Sequence, residues 1–168
     1  NEMLLAVNAA YELGGSQEKL IEIVDMLNNV ANKNPTTISK MAEAISSAAS
    51  VFYQSGLSIN EFVALVGTAT SATQRSGSEV ARGLRTVLMN IMGVTDELGE
   101  TTEETISKAE KVLKKYGIEV RESLTEFRNP MEVLRELAKK YNSTLSDVAK
   151  SEITAALAGK YRANILTS

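Results

Sequence analysis

"GSEVARGLRT", residues 77–86, decides the fold. Two glycines, a hydroxyl and two arginines suit either a loop that cradles phosphate or the start of a packed helix. A phosphate loop needs Gly, four residues, then Gly-Lys-Ser/Thr, and it follows a strand. Here five residues separate Gly77 from Gly83, Leu84 and Arg85 come next, and there is no Lys. The preceding segment has helical spacing. Ser76 and Glu79 stand three apart, as in a capping box. The stretch therefore opens a helix at about 77–92, with Val80, Leu84, Val87, Leu88 and Ile91 inside. Gly83 falls mid-helix, where glycine costs about 0.5–1 kcal/mol relative to Ala. Close approach by another helix is the physical reason to expect it there. Arg75, Arg82 and Arg85 read as a solvated face.

The same punctuation recurs on both sides. Ser58 and Glu61 form a second capping box and open a helix at about 59–73, with Phe62, Leu65, Val66 and Ala69 inward. Gly56 ends a helix of about 36–54 that carries Ile38, Met41, Ala42, Ile45, Ala48, Ala49 and Phe52. Upstream, residues 2–13 read as a helix stopped by Gly14-Gly15. Ser16 caps the next, with Leu20, Ile23, Val24, Leu27 and Val30 in register, and Asn34-Pro35 breaks it.

Downstream, a turn at 93–99 precedes a third box, Thr101 and Glu104, and a charged amphipathic helix at 102–116 that stops at Gly117. Residues 118–128 alternate weakly and read as a short hairpin. Asn129-Pro130 is a capping residue followed by Pro at the first helical position. Val133, Leu134, Leu137 and Tyr141 follow at helical spacing. A last helix covers about 145–158, up to Gly159, and a tail apolar at Tyr161, Ile165 and Leu166 closes the chain. The expected fold is all-α, a compact multi-helix bundle of seven or eight helices. The expected division is a small-residue-rich half, 1–92, and a C-terminal half, 93–168, packed as one domain or two subdomains.

Composition limits the chemistry. The 168 residues are 43% apolar, enough to bury a core. Aromatics are only 5% and Trp is absent, so Leu, Ile, Val, Ala and Met must build that core. There is no Cys, which excludes disulfides, thiolate metal sites and a Cys nucleophile. There is no His, the commonest general base and metal ligand. No catalytic set, cofactor or metal is expected, and the chain does not read as an enzyme. The net charge of −3 argues against general nucleic-acid binding. Residues 1–74 hold three Lys against seven acids, and 75–168 fifteen bases against fourteen.

Residues 44–74 carry one charge, Glu61, among Ala, Ser, Thr and Gly. Small side chains let helix backbones approach closely. The plain reading is tight internal packing, and the sharper one is a surface for self-association or a partner. No run of 18 apolar residues exists and no basic leader precedes an apolar run, so neither membrane contact nor a signal peptide is expected. The chain begins at Asn1, as a piece of a longer protein would. Lys111, Lys114 and Lys115 interleave with Glu110 and Glu119, a mixed-charge face. Tyr11–Leu20 and Tyr53–Phe62 share an order of Tyr, Gly, Ser and acid that any helix, turn and capped helix would produce.

Several of these segments together resemble the core region of phage tail tape-measure proteins. "GSEVARGLRTVLMNI" resembles that family's segment of Gly-Ser, five residues, Leu-Arg, two residues and Leu, and "VFYQSGLSINEFVALVGTAT" the Gly-x-Ser segment before it. "KYGIEV", "FRNPMEVLRELAKKY" and "SEITAALAGKYRANIL" follow in the family's order. The matching positions are Gly56, Ser58, Gly77, Ser78, Leu84, Arg85, Gly117, Ile118, Arg128, Pro130, Leu134 and Gly159. The departures are the insert around 93–106 and Asn129. The resemblance implies fold and packing roles for these positions. It also implies a non-catalytic part in tail assembly and tail-length determination, in a phage, prophage or tail-like particle. The partners it implies are the tail tube protein, tail assembly chaperones and tail-tip or baseplate proteins. The implied locations are the tube lumen of the virion tail and, during assembly, the bacterial cytoplasm. The competing reading is a soluble cytosolic helical adaptor that binds a partner helix.

Gly83→Leu is expected to destabilise the chain by about 1–3 kcal/mol through overpacking. Thermal melting checks it, and an unchanged midpoint would remove the proposed contact.

Overall fold

The structure, a computed structural model, describes residue 9 and residues 17–33, 38–93 and 107–167. Eight helices are described: α1 (Gln17–Lys33), α2 (Ile38–Gln54), α3 (Ile59–Thr73), α4 (Gly77–Ile91), α5 (Lys108–Lys115), α6 (Pro130–Ser143), α7 (Asp147–Leu157) and α8 (Gly159–Leu166). The chain is all-α, as its spacing predicts. The expected helix at 2–13, the Gly14-Gly15 stop, the Ser16 cap, the Asn34-Pro35 break, most of the 93–99 turn and the Thr101–Glu104 box lie outside the described residues. By its contacts the chain divides inside α4, into a unit ending at Arg85 and a unit Thr86–Thr167.

In the first unit α1, α2 and α3 pack pairwise. Ile23 and Leu27 of α1, Met41, Ile45 and Phe52 of α2, and Phe62, Val63 and Val66 of α3 are buried. The Phe52 and Phe62 rings lie 4.3 Å apart, tilted by 59°, an edge-favouring geometry for aromatic pairs. Between these few large groups the core is alanine: Ala44, Ala48, Ala49 and Ala69 are buried, and so is Gly67. The inward part of the small-residue stretch is thus packed inside the unit. Among the described residues the Thr70 hydroxyl is buried without a hydrogen-bond partner, which costs about 1–3 kcal/mol of desolvation.

The helix ends follow local chemistry. The Ser58 hydroxyl accepts from Glu61 N at 3.2 Å, and Ser58 N donates to the Glu61 carboxylate at 3.0 Å. Ser76 and Glu79 repeat the exchange at 3.2 and 3.3 Å. Two helices end alike. Gly56, at φ +72°, sends its N–H to Tyr53 O while Leu57 N donates to Phe52 O. Gly117, also at φ +72°, sends its N–H to Lys114 O while Ile118 N donates to Leu113 O. These are Schellman motifs, which need a residue in the left-handed region and usually pair an apolar side chain with the last turn. Leu57 and Phe52 are both buried, as are Ile118 and Leu113.

In the second unit α7 packs on α5 and on α8. Val87, Ile91, Val112, Leu113, Ile118, Val120, Val133, Leu137, Ile153 and Leu157 form one buried cluster. Asn90 Nδ2 donates to Leu157 O at 2.7 Å, satisfying a carbonyl that the end of α7 leaves open. The hairpin expected at 118–128 is reduced to one antiparallel bridge, Arg121 with Phe127, supported by Arg128 N to Val120 O at 2.9 Å. α8 is a helix that spacing alone left as a tail. Its N-cap Ala158 makes no side-chain cap bond, so no start signal marks it.

The closest backbone approach described is at Gly77. A Cβ built there would overlap the Lys40 carbonyl oxygen, lie 2.7 Å from its carbon and 3.4 Å from the Ala44 methyl. Gly77→Ala is therefore expected to destabilise by about 1–3 kcal/mol, because a helix backbone must move. A circular-dichroism melt checks it; an unshifted midpoint would mean that α4 does not start against α2.

Candidate functional site

The residues carried by the resemblance fall in both units. Gly56 and Ser58 make the α2–α3 turn, and Gly77, Ser78, Leu84 and Arg85 lie along α4, as does Gly83, singled out for its mid-helix position. Gly83 and Leu84 are buried, Ser78 is half-buried and Arg85 is exposed. The hydroxyl that caps α4 belongs to Ser76, not Ser78. In the second unit Gly117 and Ile118 end α5, Pro130 is buried at the start of α6, Leu134 packs on the core, and Gly159 has φ +67° at the start of α8.

What does converge is a set of charged side chains around 110–152. Glu110, buried on α5, is forked by Arg121: Nε to Oε1 at 2.8 Å and Nη2 to Oε2 at 3.1 Å. Arg121 also donates to Leu124 O at 3.1 Å and stacks over the Phe127 ring at 4.7 Å. Arg128 reaches both Glu119 O and the Glu136 carboxylate at 2.8 Å. Lys140 donates to the carbonyls of Tyr116 and Gly117, the exposed end of α5. Glu152 of α7 receives Lys115 at 2.8 Å and the Tyr116 hydroxyl. Of the lysine face, Lys114 lies 3.9 Å from Glu119 and Lys111 is exposed.

The electrostatics of this set decide what it can do. The bond from Arg128 holds Glu136 below the ordinary carboxylate range. Lys115, and then the Tyr116 hydroxyl, hold Glu152 below it. Glu152 in turn raises Lys115. Every one of these shifts moves a group away from neutrality. A general acid or base works best with a pKa near the working pH; these three groups are shifted away from it, and their bonds brace the chain. Among the described residues no group of His, Cys, Asp or Glu could hold a metal, and no helix is long and apolar enough to cross a membrane.

Sequence reasoning missed Arg121, Glu136, Lys140 and Glu152 of this set, and the cap that starts α5. Ser107 caps α5 by accepting from Glu110 N at 3.0 Å, and its Ser-x-x-Glu spacing was there to be read. The Glu110–Arg121 pair spans eleven residues and a turn, and no spacing rule announces it. Stability should be flat through neutral pH. As pH falls, Glu136 and Glu152 lose stabilisation present above their unfolded values, about pH 4. As pH rises past the ordinary lysine value, about 10.4, the Lys115 contribution is lost too. Melting temperature against pH checks this, and Glu152→Gln should shrink both the acid and the alkaline drop.

Comparison with known proteins places these features in a lineage. The chain is 29% identical over 135 residues to a protein of Escherichia phage P2 described as "Probable tape measure protein". The match takes in 80% of this chain and 15% of that relative, so the chain corresponds to a small part of it. No solved structure matches the chain. The phage-related minor tail protein family matches residues 1–159, and with nearly the whole chain covered, the chain belongs to that family.

Proposed function

We propose that this chain is a non-catalytic structural domain of a tape-measure protein, contributing to tail assembly and to tail-length determination. The observation that carries the reading is the similarity to the phage P2 protein across 80% of the chain. Two features support it. Glu136, Glu152 and Lys115 of the second unit are held in bracing bonds, with shifts away from neutral pH. The capped helices and alanine-rich packing of the first unit suit a part whose task is shape. The 13 positions from Gly56 to Gly159 singled out in the sequence then act in folding and packing, not in chemistry. The tail tube protein, assembly chaperones and tail-tip proteins are the proposed partners. The tube lumen is the proposed site in the virion, and the bacterial cytoplasm during assembly.

Tail length tests it. In-frame duplication of this segment should lengthen tails in electron micrographs by up to roughly 250 Å, the helical length of the chain at ~1.5 Å per residue. Normal yields of tails with unchanged length would overturn the length-setting part. Deletion should reduce or abolish tails, and normal tails of full length would overturn the structural role.

A further inference from the structure

Residues 121–127, "RESLTEF", carry Leu124 at 90% exposure, the most exposed of the large apolar side chains described. The loop that presents it is heavily braced. Arg121 grips the nearly buried Glu110 with two bonds, holds Leu124 O with a third and covers Phe127. Glu122 N and Ser123 N both donate to Glu126 O, at 2.9 and 3.3 Å. Below, Val120 is buried, and Arg128 ties the loop's return to Glu119 and Glu136. Taking the Glu110 charge out of water is unfavourable unless its partner is well placed. Here the partner's placement fixes a loop that holds a leucine out in solvent.

The surrounding charge says what such a leucine would meet. The cations of the loop, Arg121 and Arg128, face inward onto Glu110 and Glu136. Within the loop the exposed charges are Glu122 and Glu126, two residues either side of Leu124. An acidic rim repels phosphate backbones and anionic lipid surfaces. It complements a cationic protein surface.

We propose that the Arg121–Phe127 hairpin is a preformed docking knob, with Leu124 entering an apolar socket rimmed by Lys or Arg on a different protein. Bracing removes ordering entropy that a loose loop would lose on binding. The proposal goes beyond the tape-measure reading and holds whether or not this chain sets tail length.

The test uses the intact tail protein in its own particles, with the photo-crosslinking residue p-benzoylphenylalanine in place of Leu124. Irradiation should give one discrete adduct with a different protein, joined at a peptide that carries apolar residues beside Lys or Arg. The double change Glu122→Lys and Glu126→Lys should cut that adduct at least tenfold, with the amount of tail protein retained. Both glutamates are exposed, so the change disturbs no core. The same probe at Val148, 75% exposed on α7, should not give the adduct. No discrete adduct, an adduct with a second copy of this chain, with nucleic acid or with lipid, or one indifferent to charge reversal would each overturn the knob. Tail lengths in the same particles report on the length-setting reading separately.

Discussion

The backbone contact between Gly77 and the Lys40 carbonyl is the constraint on which the first unit depends. A chain without Trp and with few aromatics cannot fill wide gaps between helices. It must instead bring backbones together, and dispersion rewards such close packing only where nothing larger than a methyl intervenes. Lys40 and Ala44 lie one helical turn apart on α2, and both approach Gly77. Ala48 continues the row, buried like Ala44. A larger side chain at 44 or 77 would prop α4 away from α2 and open the packing around Val80, Ala81 and Leu84, all buried.

The second unit solves a different problem. Its chain leaves α5, makes a tight loop, runs through α6 and α7, and must return its end to the start. Apolar burial gives the driving force, but it is non-directional. Direction comes from polar bonds with long sequence separation. Asn90 to Leu157 spans 67 residues, and Glu152 to Lys115 and Tyr116 spans 37 and 36. These bonds select one arrangement among those the buried cluster would tolerate. Exposed ion pairs contribute little each, so of these bonds the half-buried ones, Asn90 to Leu157 and Tyr116 to Glu152, carry most of that selection.

The same residues connect structure to role. The chain belongs to the phage-related minor tail protein family, and the carboxylates and lysine that are perturbed here are perturbed outward. The polar chemistry of the second unit is directed at holding a shape. Where that shape meets the surroundings, it offers a rigid loop with one apolar tip and an acidic margin.

Most helix ends were legible in the chain, because an end is decided within about five residues. The Ser58/Glu61 and Ser76/Glu79 boxes, the Asn129-Pro130 start and the Gly56 and Gly117 stops each close their bonds locally. Two things escaped for physical reasons. α8 starts without a capping side chain, so its sequence looks like a tail. The close contact at Gly77 sits at a helix start, where glycine is cheap and therefore silent. The sequence by itself determined the helical class, most of the helix boundaries and the exclusion of thiol and imidazole chemistry. Only the tertiary structure decided that Gly77 touches Lys40, that Arg121 grips Glu110 and that Leu124 stands outside. Each of these depends on the paths of separate segments through space, which no periodicity along the chain encodes.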